Sequence, residues 1–161
     1  MKSLESICNI DLELLNSCVN GTYTINDDGS IDVDGAVNLS SKKLTKIPFK
    51  FRNVSGSFFC YNNQLTSLDG APNNVGSGFD CSSNKLTSLE GAPNNVGGNF
   101  YCYNNPNLPY SELFKIVDKV KDDIYYSSIN TPEDKDKIRR DRDVKNVLKD
   151  DELGDLDVWN P

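Results

Sequence analysis

Cys60, Cys81 and Cys102 recur every 21 residues, and three thiols at equal intervals raise the question of a metal centre. A zinc site needs thiolates converging on one point, usually with two of them about two to four residues apart. Equal spacing of this length instead sets each sulfur on a successive coil, about 4.8 Å from the next, where cysteine packs as a small hydrophobe. The acidic run from Asp27 to Asp34, with Gly29 inside it, suggests calcium. Aligned on that glycine, an EF-hand loop would begin at Thr24 and end at Gly35, so its two most important carboxylates are missing; a hairpin turn is the better reading. The chain has no histidine, which removes the commonest general base and metal ligand. Neither G-x-x-x-x-G-K-[ST] nor G-x-G-x-x-G between strand and helix occurs, and the many acids sit in charged runs. No catalytic residue, no cofactor and no metal are therefore expected, and the chain is not read as an enzyme.

A repeat must position these residues. Phe58-Phe59-Cys60-Tyr61-Asn62-Asn63-Gln64-Leu65-Thr66-Ser67-Leu68 aligns without gaps on Phe79 to Leu89 and on Phe100 to Asn105, each displaced by 21 residues. The first two copies continue into Gly-Ala-Pro-Asn-Asn-Val-Gly at Gly70–Gly76 and Gly91–Gly97. A diverged copy precedes them, with Val37, Leu39, Leu44, Ile47 and Val54 at the apolar positions. The wording is the leucine-rich-repeat core L-x-L-x-x-N-x-L, with Phe in the first place and Cys in the second. One such unit cannot bury its own apolar stripe, so neighbours must stack. The spacing predicts interior ladders of Phe58, Phe79 and Phe100, of Cys60, Cys81 and Cys102, and of Leu65 and Leu86. Asn63, Asn84 and Asn105 should turn inward and bond adjacent coils. The Gly-Ala-Pro return is too short for a long helix and is read as an irregular convex side. Lys42 stands where the ladder Asn belongs, and Pro106-Asn107 breaks the last unit.

Asn63-Gln64-Leu65-Thr66-Ser67-Leu68-Asp69-Gly70-Ala71-Pro72 and its copy at Asn84 to Pro93 resemble short leucine-rich-repeat proteins of tailed bacteriophages and some bacteria. The segment Tyr23 to Gly35 resembles the entry segment of that family. The resemblance spans residues 23–105, and it implies a solenoid with a binding role, while leaving the partner open.

The expected architecture is α+β: a leucine-rich-repeat solenoid with one short parallel strand per coil. A helix plus hairpin (residues 1–35) caps its start, four repeats follow (36–108), and a helical cap with a charged tail (109–161) ends it. Tyr23 and Ile25 alternate towards Asp28-Gly29 and Ile31 and Val33 alternate away, which is hairpin patterning. Leu113, Ile116, Val117, Val120 and Ile124 follow Ser111 at helical spacing. A second helix start lies at Thr131-Pro132. No apolar run approaches the roughly 20 residues that span a bilayer, and the first residues lack the apolar stretch of a secretion signal. A cytoplasmic protein with reduced cysteines is expected, in the host cytoplasm if the chain is phage-encoded. The net charge of −7 disfavours nucleic acid as a partner. Lys42, Lys43, Lys46, Lys50 and Arg52 form a basic group read as a solvated face.

If Phe58 and Cys60 face inward, the residues between them face out. Two outward columns then read Asn38, Phe59, Asp80, Tyr101 and Ser40, Tyr61, Ser82, Tyr103. Clustered exposed aromatics mark interfaces, so Phe59, Tyr61, Asp80, Tyr101 and Tyr103 are candidate partner-binding residues on a concave face. Arg139, Arg140, Arg142 and Trp159 in the C-terminal segment join them. The expected function is a protein-binding module whose partner is another protein, such as a host defence protein or enzyme that it inhibits. The alternative is a structural or self-assembling protein, a homo-oligomer or virion component that uses the same face on itself.

Overall fold

The computed structural model describes residues 10–126, together with the backbone of Arg139 and Arg140. Its frame is a parallel β-solenoid of about five turns, most of them about 21 residues long. Alternation of side chains through Phe58-Phe59-Cys60 sets one side of the chain inward and the other outward. The resulting first ladder runs from the end of β2 (Ile31–Asn38) through β4 (Phe58–Phe59), β6 (Phe79–Asp80) and β8 (Phe100–Tyr101) to β9 (Ile124–Tyr126). Its register places Val37, Phe58, Phe79, Phe100 and Ile124 in one inward row. A short β10 (Arg139–Arg140) pairs antiparallel with β9.

The interior rows follow the repeat. Phe58, Phe79, Phe100, Cys60, Cys81, Cys102, Leu65 and Leu86 are all fully buried. The Phe58 and Phe79 rings stack at 5.6 Å and 7°, and Phe79 and Phe100 at 5.0 Å and 24°. Stacked pairs of this kind add about 0.5–1.5 kcal/mol each beyond their area burial. Below them runs an asparagine ladder. Asn84 Oδ1 accepts from the Leu65 N–H at 3.0 Å, and its Nδ2 donates to the Cys60 and Cys81 carbonyls at 3.0 and 3.1 Å. Asn105 repeats this with Leu86, Cys81 and Cys102. Each asparagine bonds the coil before its own. Asn63 serves Lys42 and Leu44 in the first coil, which has no earlier coil to serve, and this accounts for Lys42 at the ladder position.

Each of the three middle coils carries two short strands, where the sequence suggested one. β3 (Phe51–Val54), β5 (Asn74–Val75) and β7 (Asn95–Val96) form a second parallel ladder that starts on the first half of β2. It occupies the return segment expected to be irregular. Val54, Val75 and Val96 point inward and are buried, while Asn53, Asn74 and Asn95 face out. Their amides pass hydrogen bonds one way: Asn95 Nδ2 to Asn74 Oδ1 at 2.7 Å, Asn74 Nδ2 to Asn53 Oδ1 at 2.7 Å, and Asn53 Nδ2 to the Asp32 carboxylate at 2.8 Å. Arg52 pairs with Asp32 at the foot of this chain. Between the ladders the backbone turns at Gly76 and Gly97. A Cβ there would lie 2.1 Å from the Ser55 carbonyl oxygen and 2.2 Å from that of Gly76. The coils touch too closely for any side chain, which is why Val-Gly recurs.

The start of the described chain is a helix, α1 (Leu12–Cys18), capped by Asp11, whose carboxylate accepts from the Leu14 N–H at 2.9 Å. Strand β1 (Val19–Ile25) then forms a hairpin with β2 and covers the edge that the first coil would otherwise leave open. At the other end, helical spacing gives way to a fifth coil. A 3₁₀ helix spans Tyr110–Lys115, preceded by Pro109 with no side-chain cap from Ser111. Val120 then bridges Val96, and Ile124 pairs with Phe100. The physical reason lies in the exposed edges of β7 and β8. The Val96 N–H donates to the Lys119 carbonyl at 2.8 Å, and the Phe100 N–H to that of Asp123 at 2.9 Å. A longer helix would leave those groups without partners. Glu112 anchors the 3₁₀ turn by accepting from the Ser88 hydroxyl and the Leu89 N–H of the preceding coil, both at 2.8 Å.

Candidate functional site

The residues between the buried positions form two outward rows along the first ladder. Asn38, Phe59, Asp80 and Tyr101 are in register, and the pairing of β8 with β9 adds Tyr125. Backbone bonds such as Cys60 N–H to Asp80, Asn62 N–H to Ser82 and Ser83 N–H to Tyr103 carry the ladder on. They align Tyr61, Ser82 and Tyr103 in the second row. The structure thus brings together Phe59, Tyr61, Asp80, Tyr101 and Tyr103. Arg139 and Arg140 are described as backbone alone, and Arg142, Trp159 and Cys8 lie outside the described residues. The second helix start expected at Thr131-Pro132 lies outside them as well. Tyr125 was missed because the last step along the row is 24 residues instead of 21. The signal was present in Ile124-Tyr125-Tyr126, which repeats the inward-outward-inward order of Phe100-Tyr101-Cys102.

Coils alternate between two kinds of outward pair. Asn38 with Ser40 and Asp80 with Ser82 are short and polar, whereas Phe59 with Tyr61 and Tyr101 with Tyr103 are aromatic. In each aromatic pair the rings meet edge to face, at 6.3 and 6.5 Å. In each polar pair the first side chain caps the second residue. Asn38 Oδ1 accepts from the Ser40 N–H at 3.0 Å and its hydroxyl at 2.5 Å. Asp80 Oδ1 does the same for Ser82 at 2.9 and 2.5 Å. Ser82 is 2% exposed while Tyr61 is 37% exposed, so the polar pair forms a floor between taller aromatic walls. Tyr101 is held firmly. It stacks on Tyr125 at 4.6 Å and 14°, and its phenol oxygen accepts from Asn99 Nδ2 at 3.1 Å.

Burial pushes the Asp80 carboxyl above its ordinary range, against the lowering effect of the two Ser82 donors. Asp28 makes the same bonds to Ser30 in an exposed turn. There the Ser30 hydroxyl, then its N–H, then Lys50 hold the carboxyl well below the usual range. The difference is the surroundings: among the described residues Asp80 has no ion-pair partner. Because its folded pKa is raised, the native state holds the proton more tightly than the unfolded chain does. The ionised carboxylate therefore opposes folding increasingly as pH rises from the unfolded value through the folded one. Asp80→Asn keeps the cap, as Asn38 shows, and removes the charge. Its melting temperature at pH 7 should rise by about 2 °C or more, with the gain shrinking towards pH 3. A variant that melts lower at pH 7 contradicts this account of Asp80.

Burial drives the Cys60 and Cys81 thiols far above their ordinary range, so they pack as neutral groups and are poor nucleophiles. The acidic run at Asp27–Asp34 forms the hairpin turn and the start of β2. Of the basic group, Lys50 pairs with Asp28 and Arg52 with Asp32. A shallow hollow of about 440 Å³ lies on the second ladder, beside Tyr23, Asp32, Asn53, Ser55 and Asn74, and is edged by the asparagine chain. No helix among the described residues is long and apolar enough to cross a membrane. Comparison with models of protein families, with curated proteins and with solved structures finds no match for this chain.

Proposed function

We propose that the chain is a leucine-rich-repeat protein that binds another protein through the outward rows of its first ladder and performs no catalysis. One observation carries this reading: Phe59, Tyr61, Tyr101 and Tyr103, with Tyr125 beside them, share one outward-facing, partly exposed patch of the first ladder. Aromatic side chains bring large contact areas at low entropic cost, and they dominate interface hot spots. A fixed Tyr101 loses little freedom on binding, which favours affinity. The resemblance to phage repeat proteins extends the proposal to a phage-encoded inhibitor that acts on a host enzyme or defence protein in the host cytoplasm.

Affinity capture from host cells with the full chain tests it, with wild type run beside a Phe59→Ala/Tyr101→Ala double variant. A protein captured by wild type should be lost at least about tenfold from the double variant, as removal of a hot spot implies. Equal retention by both removes this face from consideration. Light scattering after size exclusion separates the self-assembly reading: a mass that grows with concentration, and does so only with the aromatics intact, would place a second copy of the chain on this face.

A further inference from the structure

Asp80 poses a specific question about the partner. In the first coil a neutral asparagine, Asn38, performs the whole structural task of capping the serine two residues on. In the third coil the same task falls to a carboxylate, in a place where its charge works against folding. Both Ser82 donors go to Oδ1, and among the described residues Oδ2 accepts no hydrogen bond. On either side of it along the row stand Phe59 and Tyr101. These two residues lie two strand spacings apart, about 9.6 Å. If the rings keep that separation, van der Waals contact at roughly 3.5–4.0 Å on each face leaves room for one flat group between them. Tyr101 stacks on Tyr125 at about the strand spacing, so its opposite ring face is turned towards the Asp80 coil.

We propose that this slot receives an arginine side chain from the partner protein, its guanidinium lying between Phe59 and Tyr101 and its charge met by Asp80 Oδ2. This inference rests on the proposed docking face and names what that face recognises. A guanidinium is planar, weakly hydrated and stacks on aromatic rings, whereas an ammonium is compact and holds its water tightly. A cation over an aromatic face gains most where water is excluded, and an unpaired carboxylate on the slot floor supplies the complementary charge. The partner surface is accordingly basic at this point, which suits a binding protein with a net charge of −7.

The test is a titration of the ¹⁵N-labelled full chain with N-acetyl-arginine methylamide. The same compounds of citrulline and lysine are run alongside, with Asp80→Asn as the paired variant. The expected result is saturable shifts centred on Phe59–Tyr61, Asp80–Ser82 and Tyr101–Tyr103. The response should weaken about tenfold or more in Asp80→Asn, vanish with citrulline and be weaker with lysine. No saturable response in wild type, shifts centred elsewhere, an equal response to citrulline or a stronger one to lysine overturns the assignment. Asp80→Asn is chosen because its amide keeps the Ser82 cap, so a loss of binding is not a loss of fold. The two proposals fail separately. If Asp80→Asn leaves arginine binding unchanged while Phe59→Ala/Tyr101→Ala abolishes it, the face stands and the charge recognition falls. If neither variant changes it, arginine binds elsewhere and the slot falls, while the docking face stands or falls by the affinity capture.

Discussion

Leu86→Asp abolishes cooperative folding. Leu86 is fully buried in the row below the cysteines, and its N–H is already taken by Asn105 Oδ1 at 3.0 Å. An ionised carboxylate at this position enters the buried apolar row and meets the backbone of two coils, with no buried cation among the described residues to answer it. Desolvating such a charge costs more than the whole net stability of a domain this size, about 5–15 kcal/mol. Protonation lowers that cost but still leaves a smaller, polar side chain in a packed row. The neighbouring Lys85 is exposed, so Lys85→Asp should change stability by no more than about 0.5 kcal/mol. Thermal unfolding followed by circular dichroism gives the comparison: a sharp transition for wild type and Lys85→Asp, and none for Leu86→Asp. A Leu86→Asp chain that melts within a degree or two of wild type would mean that this side chain does not face the interior.

Asn84→Ala is the second large effect, and it acts through backbone groups. The Asn84 amide is 5% exposed and joins two coils. Its removal strands the Leu65 N–H and takes a partner from the Cys60 and Cys81 carbonyls. A buried polar group left unsatisfied costs about 1–3 kcal/mol, so a total near 3–5 kcal/mol is expected, because neighbouring effects do not simply add. Urea unfolding should show the midpoint falling with little change in slope. Asn63 makes the corresponding bonds, with the Lys42 N–H as a further donor, at the half-buried first rung; water can replace it there, and Asn63→Ala should cost less than half as much. An Asn84→Ala loss below about 1 kcal/mol would reduce this ladder to ornament.

The repeat and its inward rows were legible because three coils spell them with the same letters. A shift of one residue would have exchanged Phe58 with Phe59 and buried the wrong side. The second ladder was not legible. Its strands β5 and β7 are two residues long, too short for alternation to register, and Asn-Asn-Val is as good a turn as it is a strand. The fifth coil was hidden by a real competing pattern, since Leu113, Ile116, Val117 and Val120 do fall at helical intervals. What decided against a helix was the pair of open strand edges at Val96 and Phe100, a demand that arises only once the earlier coils are stacked. Of the outward face, the four aromatics could be placed from register alone. The state of Asp80 could not, because it depends on burial beside the aromatic walls, and the same Asp-x-Ser triplet at Asp28 behaves in the opposite way.

The outward asparagine chain on the second ladder gives the solenoid a polarity that its parallel strands do not have by themselves. Every amide from Asn95 through Asn74 to Asn53 is oriented towards the Asp32 carboxylate, so their dipoles add along the long axis and each link strengthens the next. Such a relay has a root and a tip: cutting it at Asn53 isolates everything above from the anchoring anion, whereas trimming Asn95 sheds only the final link.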